Sequence, residues 1–185
     1  VFSSNTNHLT RRSIAFEGAR FVQSLVNNGR WKTYGYELTS EFRPTNSWRI
    51  SAAMTHQMTE DNNSALDVGY SPETLLQLKT DYHIGDHTLA AFAHYVSSRH
   101  SDWRYVGSTA DNQPDTEQRI GETAGCYWNL NANWRYQIRD DLAANLNISN
   151  LADKEYRYPT NEVSSFSRGL IAEGRIITVG LSWTF

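Results

Sequence analysis

The sequence predicts an all-β fold in which antiparallel strands form the wall of a transmembrane β-barrel, and three observations support this. Segments of about seven to eleven residues alternate between apolar and polar positions, which is the period of a strand with two different faces. The connections between these segments alternate between short and long, as in outer-membrane barrels. Charged residues make up 20% of the 185 residues, yet none occupies an apolar face.

The last strand, residues 176–185, shows the pattern most clearly. Its apolar face carries Ile177, Val179, Leu181, Trp183 and Phe185, and its other face carries small or polar residues. A strand of about ten residues crosses a bilayer when it is tilted by roughly 45°. We therefore predict that the apolar face contacts lipid and that the polar face lines the inside of a barrel.

Six further strands follow the same rule. They are predicted over residues 34–42, 48–58, 76–84, 89–95, 128–138 and 142–148. Short turns are expected at 44–46, 85–86 and 139–140, and long loops at 59–71, 97–125 and 150–175. In an outer-membrane barrel the short turns are periplasmic and the long loops are extracellular. Residues 1–30 are predicted to be mostly loop, with a turn at 27–29 and one strand near 21–26, because charged residues interrupt any alternation there.

Aromatic residues lie at both ends of the predicted strands, as in the aromatic girdles of membrane barrels. Those at the turn ends are Phe42, Trp48, Tyr82, Tyr136, Trp183 and Phe185, and those at the loop ends are Tyr34, Tyr36, Tyr95 and Trp128. The alternative fold is a soluble β-sandwich, whose strands are usually about five or six residues long. The absence of charged residues from the apolar faces favours the membrane barrel over the sandwich, because an Arg or Lys facing lipid costs roughly 2–4 kcal/mol.

Composition and motifs exclude several classes of protein. A net charge of -3 does not suggest nucleic-acid binding, and the single cysteine, Cys126, cannot form an internal disulfide. No apolar run approaches the roughly 18 residues of a membrane helix. The sequence contains no H-E-x-x-H motif, Cys/His cluster, G-x-S-x-G motif or glycine-rich phosphate loop, so we expect neither catalytic residues, nor a metal, nor a cofactor.

Seven strands are an odd number, whereas bacterial single-chain barrels contain an even number. An open sheet would also leave unpaired backbone groups in lipid, which is costly. We therefore expect additional strands, either from residues 1–30 or from an N-terminal part outside this sequence.

Two segments carry a family resemblance. Residues 147–156, which read Asn-Ile-Ser-Asn-Leu-Ala-Asp-Lys-Glu-Tyr, resemble the N-x-x-N-L-x-D-K-x-Y segment near the C-terminus of TonB-dependent outer-membrane receptors. As in that family, a loop follows, and Gly174 and Arg175 then open the final strand. Upstream, Asn28, Gly29 and residues 34–38 resemble the family's N-x-G-x-x-x-x-G-x-E segment. Order and spacing match from about residue 27 to residue 185.

The resemblance implies a bacterial outer-membrane receptor with a barrel of about 22 strands, filled by an N-terminal plug. Such receptors import scarce nutrients, most often ferric siderophores and otherwise haem or cobalamin, and TonB energises them through an N-terminal TonB box. Residues 1–185 would form the C-terminal seven or eight strands, without plug or TonB box. The implied partners are an iron chelate, TonB through the missing N-terminal part, outer-membrane lipid, and the barrel-assembly machinery, which would recognise Trp183 and Phe185.

Two loop clusters that combine cations with aromatic rings are the candidate ligand site. They are Arg99, His100, Trp103, Arg104 and Tyr105 in one loop, and Tyr156, Arg157, Tyr158 and Arg168 in the next. Arginine and aromatic rings together can hold an anionic iron chelate through charge, hydrogen bonds and stacking. The alternative role for such residues is to pack the loops or anchor them at the membrane interface. On the inner face, charged residues are expected to pair with one another or with the plug; these are Glu37, Glu41, Arg49, Lys79, Asp81 and Arg135.

Two other functions remain open from the sequence. A stand-alone eight-stranded pore or adhesin would need a lipid-compatible strand within residues 1–30, which Glu17 and Arg20 argue against. A barrel enzyme such as a lipase or acyltransferase would need a Ser/His pair at one rim, and no spacing singles one out.

Overall fold

The computed structural model describes residues 1–17, 20–61, 66–67, 71–100, 103–106, 116–119, 123–159 and 169–184. Within these ranges the chain forms thirteen strands and no helix. The strands are β1 (Phe2–Glu17), β2 (Arg20–Thr45), β3 (Trp48–Asp61), β4 (Leu66–Asp67), β5 (Thr74–Ile84), β6 (His87–Val96), β7 (Trp103–Val106), β8 (Thr116–Arg119), β9 (Tyr127–Arg139), β10 (Leu142–Ser149), β11 (Arg157–Tyr158), β12 (Leu170–Ile171) and β13 (Ile176–Trp183). Among the described residues, no helix is long and apolar enough to cross a membrane.

One antiparallel sheet contains most of these strands. Its order is β1-β2-β3-β5-β6-β9-β10-β13, and the short β4 pairs with β3 at one end. The strands β7 and β8 pair within one long loop, and β11 and β12 pair within the next. All seven strands predicted between residue 34 and the C-terminus are confirmed, the first of them as the second half of β2.

The pairing register places the apolar faces on one side of the sheet. Leu38 pairs with Met54, Met54 with Leu76, Leu76 with Tyr95, and Tyr95 with Trp128. Because side chains alternate across each strand, one aligned row of apolar residues fixes the orientation of all its neighbours. The sheet therefore has one continuous apolar face, which we call the outer face, and one polar face, which we call the inner face.

The outer face is not covered by protein. Leu38, Val179 and Leu181 are 65%, 75% and 73% exposed. The buried apolar residues of the described ranges are Val96, Ala124, Tyr127 and Ala143, and they do not form a core behind that face. A sandwich would cover it with a second sheet about 10 Å away, whereas the other sheets among the described residues are the two-stranded pairs β7–β8 and β11–β12. An exposed apolar face of this extent fits contact with lipid, as predicted, and not the packing of a soluble sandwich.

The inner face carries polar pairs, some between neighbouring strands and some within one strand. Asp81 accepts from Arg49 at 3.1 Å and lies 3.2 Å from the Lys79 Nζ, so the expected pairing of these inner-face charges is confirmed. Farther along the sheet, Asn145 donates to Ser182 at 3.1 Å. Glu41 pairs with Arg43 at 2.7 Å, and Arg135 donates to Gln137 at 3.2 Å. Pairing with a plug stays a prediction.

The prediction that residues 1–30 are mostly loop is wrong, because most of them form strands. β1 and β2 form one long hairpin whose pairs run from Phe2 with Gly35 to Glu17 with Arg20. The strand expected near 21–26 lies within β2, and the turn expected at 27–29 is a bulge opposite Leu9 and Thr10. The neighbouring His8 has a φ of 60°. The end of this hairpin that carries the charged residues lies well beyond the Trp31–Asp61 pair where β3 ends. The exclusion of charge from a lipid-facing side therefore does not apply to it. β1 thus provides an eighth main strand.

The connections alternate as expected. Short turns join β2 to β3, β5 to β6 and β9 to β10, the last at residues 140–141, one position later than expected. Gly85 takes a φ of 54° in the second of these turns, a conformation in which glycine has no steric cost. β3 extends to Asp61 and so into the expected 59–71 loop. The long connections, which contain the small hairpins, all lie at the opposite edge, which we call the rim.

Gly35 explains why glycine recurs in the upstream segment of the resemblance. A Cβ at this position would clash with the His56 carbonyl oxygen and lie 2.9 Å from Gln57 Cα. Because these obstacles are backbone atoms of β3, we expect Gly35→Ala to lower the free energy of unfolding by about 1–3 kcal/mol. Gly180→Ala is the matched control, because a Cβ there meets nothing within 4 Å. Urea unfolding of the full-length protein in detergent measures both, and equal effects would contradict the packing argument.

Candidate ligand-binding site at the rim

The rim ends of β6 and β9 fix the first half of the site. Val96 pairs with Tyr127, and just beyond this pair Arg99 and Ala124 exchange two backbone hydrogen bonds of 2.9 Å. The chain leaving β6 and the chain entering β9 are therefore held together for one further step. This bridge places the Arg99 side chain beside Tyr127, at the start of β9.

The segment after β10 supplies the second half of the site. Asn150 is 2% exposed, and its side chain bonds the backbone of Lys154 twice and the Glu173 carbonyl once, at distances from 2.9 to 3.3 Å. Its own N–H donates to Asn131 Oδ1 at 3.1 Å. Asn150 thereby folds the loop back over the end of β9, which explains the second asparagine of the resembling segment.

An arginine and three tyrosines meet where these two halves join. The rings of Tyr127 and Tyr156 stack with centroids 4.0 Å apart, and Tyr158 contacts Tyr156 edge-on at 5.9 Å. The Arg99 guanidinium carbon lies 5.6 Å from the Tyr127 ring and 5.3 Å from the Tyr158 ring. Asn129 donates to the Tyr156 hydroxyl at 3.0 Å. We call these five residues the tyrosine cluster.

Burial differs across the tyrosine cluster. Arg99 and Tyr127 are 9% and 6% exposed, whereas Tyr158 is 43% exposed. Partial burial raises the pKa of the Tyr158 phenol, and its hydrogen bond with Tyr156 raises it further, while the positive charge of Arg99 opposes both effects. Tyr158 is therefore a neutral phenol at physiological pH, and its half-exposed ring is open to solvent.

Three buried polar atoms beside Tyr127 have no hydrogen-bond partner among the described residues. They are His94 Nδ1, Arg99 Nε and Asn129 Oδ1. His94 and Asn129 are paired across β6 and β9, and the His94 ring contacts Tyr127 edge-on at 6.0 Å. Buried polar groups are normally hydrogen-bonded. These atoms can therefore form hydrogen bonds with a polar group of a ligand or with water.

The structure merges part of the two predicted clusters into one. Arg99, Tyr156 and Tyr158 come together, while Arg157 contributes its carbonyl and directs its guanidinium to Glu155 at 2.7 Å. His100 lies apart, with Nδ1 3.1 Å from Thr123 Oγ1. Trp103, Arg104 and Tyr105 lie in β7, of which the backbone alone is described, and Arg168 lies outside the described residues.

Sequence reasoning missed the strand residues of the site, Tyr127, Asn129 and His94. All three occupy inner-face positions, which the sequence predicts only to line the inside of the barrel. The available signal was an aromatic ring, Tyr127, on a strand face whose other residues are all Asn, Arg or Gln. Of the proposed assembly signal, Trp183 donates to Asp141 at 2.8 Å, and Phe185 lies outside the described residues. Within those residues, no three side chains of His, Cys, Asp or Glu gather as a metal site.

An apolar outer face and a polar inner face define the wall of a membrane barrel, and a cluster of aromatic rings lies at its rim. Residues 2–151 match the family model described as TonB dependent receptor-like, beta-barrel. The chain belongs to this family of outer-membrane proteins, which are receptors and transporters.

Known relatives agree with this assignment. The ferripyoverdine receptor of Pseudomonas aeruginosa PAO1 is 26% identical over 160 residues, 83% of this chain and 18% of the receptor. The Escherichia coli outer-membrane transporter YddB superposes with a TM-score of 0.74 at 12% identity, over 99% of this chain and 29% of the transporter. The closed form of the E. coli ferric-catecholate import receptor Fiu gives 0.70 at 20% identity, over 99% and 24%. The chain thus spans about a fifth of the curated relative and less than a third of these structures.

Proposed function

We propose that this chain forms the C-terminal part of the barrel of a receptor that takes up a ferric siderophore, energised by TonB. The plug and the TonB box would then belong to another part of the protein, a division supported by the small share of the relatives' length that the chain covers. The relatives' names support the substrate class, since they specify ferripyoverdine and ferric catecholate. The barrel-assembly machinery would bind Trp183 and Phe185, and the outer face would contact lipid.

The tyrosine cluster is the observation that carries the substrate proposal. Tyr158 presents a half-exposed ring on which a planar chelating group can stack, and ring pairs contribute about 0.5–1.5 kcal/mol beyond their buried area. The Arg99 guanidinium lies 5.3 Å from the centre of this ring and holds the ring in place through a cation–π contact. His94 and Asn129 add hydrogen-bonding capacity on the inner face, along the path into the barrel.

Ligand binding by the full-length receptor tests this function. Ferric hydroxamate and catecholate chelates, haem and cobalamin are titrated against the wild type and against Tyr158→Ala. We expect a ferric chelate to bind and Tyr158→Ala to raise its Kd about tenfold, the equivalent of about 1.4 kcal/mol. Tyr82→Ala is the control, because Tyr82 lies on the outer face at the turn end. Binding of haem or cobalamin alone would overturn the substrate class.

A further inference from the structure

We infer that Arg99 is a positioning residue that holds the loop after β10 against the barrel wall, so that Tyr158 faces the ligand. This inference rests on the proposed function and changes the role of Arg99 from the ligand contact that the sequence suggested. A buried guanidinium has little surface to offer a ligand, and its contacts are to two separate segments of the chain, the start of β9 and β11.

The contacts of Arg99 join the wall to the loop. Its backbone is bridged to Ala124 on the way into β9, and its guanidinium lies against the Tyr127 ring of β9. The same guanidinium lies against the Tyr158 ring and donates from Nη2 to the Arg157 carbonyl at 3.0 Å. One side chain therefore contacts both β9 of the wall and the small β11–β12 hairpin.

Backbone hydrogen bonds join residues 156–158 to the second strand of the β11–β12 hairpin. Arg157 pairs with Ile171, Tyr158 with Leu170, and Ala172 N–H donates to the Tyr156 carbonyl at 2.9 Å. Asn150 and Asp153 fix the foot of the loop, several residues away. Arg99 contacts the loop farther from β10, at the hairpin itself. Replacing Arg99 should therefore detach the hairpin from the wall while the contacts of Asn150 and Asp153 stay in place.

Distances between spin labels test the positioning directly, without ligand. In the full-length receptor carrying Cys126→Ser, labels are attached at Gly125→Cys, where a Cβ meets nothing within 4 Å, and at the exposed Ile171→Cys. We expect one narrow distance distribution, broadened by Arg99→Met and partly restored by Arg99→Lys, which keeps the charge but not the planar donor geometry. Arg135→Met, an inner-face arginine outside the site, should leave it narrow. An unchanged distribution in Arg99→Met would overturn the inference.

Affinity then separates positioning from direct contact. Arg99→Met should raise the Kd for the ferric chelate about tenfold, as expected for one lost charge-assisted hydrogen bond. A cross-linker that joins the two cysteines at the wild-type distance should restore the affinity if Arg99 only positions the loop. Failure of the cross-link to restore binding would show that Arg99 contacts the ligand. If the wild type binds no iron chelate, the proposed function fails, while the label distances still report on Arg99.

Discussion

Replacing Asn150 by alanine is expected to detach the last long loop from the barrel wall. The side chain makes three hydrogen bonds to the backbone at the foot of that loop, and the residue takes a φ of 50°. Each bond contributes about 0.5–1.5 kcal/mol and the left-handed conformation costs alanine about 1–2 kcal/mol, so we expect a loss of about 3–5 kcal/mol. Trypsin cleavage of the 150–175 loop in the folded receptor, together with urea unfolding, measures the loss.

Two further variants separate the causes. Asn150→Gly removes the same bonds but accepts the positive φ, so it should recover about 1 kcal/mol relative to alanine. Asn147→Ala changes an exposed asparagine three residues earlier, whose side chain is bonded to Asn133, and should leave the loop protected from trypsin. Protection of the loop in Asn150→Ala would contradict the anchoring role.

Ala91→Arg is expected to destabilise the barrel in lipid by about 2–4 kcal/mol, the cost of an arginine facing the bilayer midplane. Ala91 lies near the middle of β6 on the outer face, paired with Thr80 and Ala132. Ala90→Arg is a closely matched control, since it makes the same change one residue away on the inner face. There it is paired with Asp81 and Asn133, and a nearby carboxylate offsets part of the charge.

Urea titration of the full-length receptor folded into lipid vesicles compares the two variants. The expected order of stability is wild type, then Ala90→Arg close below it, then Ala91→Arg well below both. Equal losses would mean that lipid does not distinguish the two faces, and a larger loss for Ala90→Arg would reverse their assignment.

Most of the wall was predictable because lipid acts on each strand separately. Every residue of the 128–138 segment that faces the bilayer must be apolar, so the face of a strand can be read without knowing its neighbours. The β1–β2 hairpin was not predictable in this way. Its charged half, with Arg11, Arg12 and Glu17, projects past the end of β3. Lipid therefore does not require one face of this half to be apolar, and its sequence shows no alternation.

The site was only partly predictable because it depends on pairing between distant residues. Composition singled out Arg99, Tyr156 and Tyr158 on two different loops. Their contact with Tyr127 requires the β6–β9 register and the turn that Asn150 imposes, and neither is visible in local sequence. Tyr127 therefore seemed to be an ordinary wall residue.

The resembling segment gains a physical meaning from the structure. Asp153 takes a φ of 50° and accepts from the Arg175 N–H at 2.9 Å. A Cβ at Gly174 would lie 3.2 Å from the same carboxylate oxygen, which favours glycine there. Together with Asn150, these residues set the path by which the last loop leaves β10 and returns to β13.

The alternation of the two faces can be measured directly along β9. Single cysteines are placed at each of residues 129–136 in a Cys126→Ser full-length receptor, folded in vesicles, and labelled with a lipid-soluble or a water-soluble thiol reagent. We predict that the lipid-soluble reagent reaches the even-numbered positions, which include Ala132 and Trp134, and does not reach the odd-numbered ones. Labelling of the odd-numbered positions from lipid, or labelling without a period of two, would contradict an outer face built to contact the membrane.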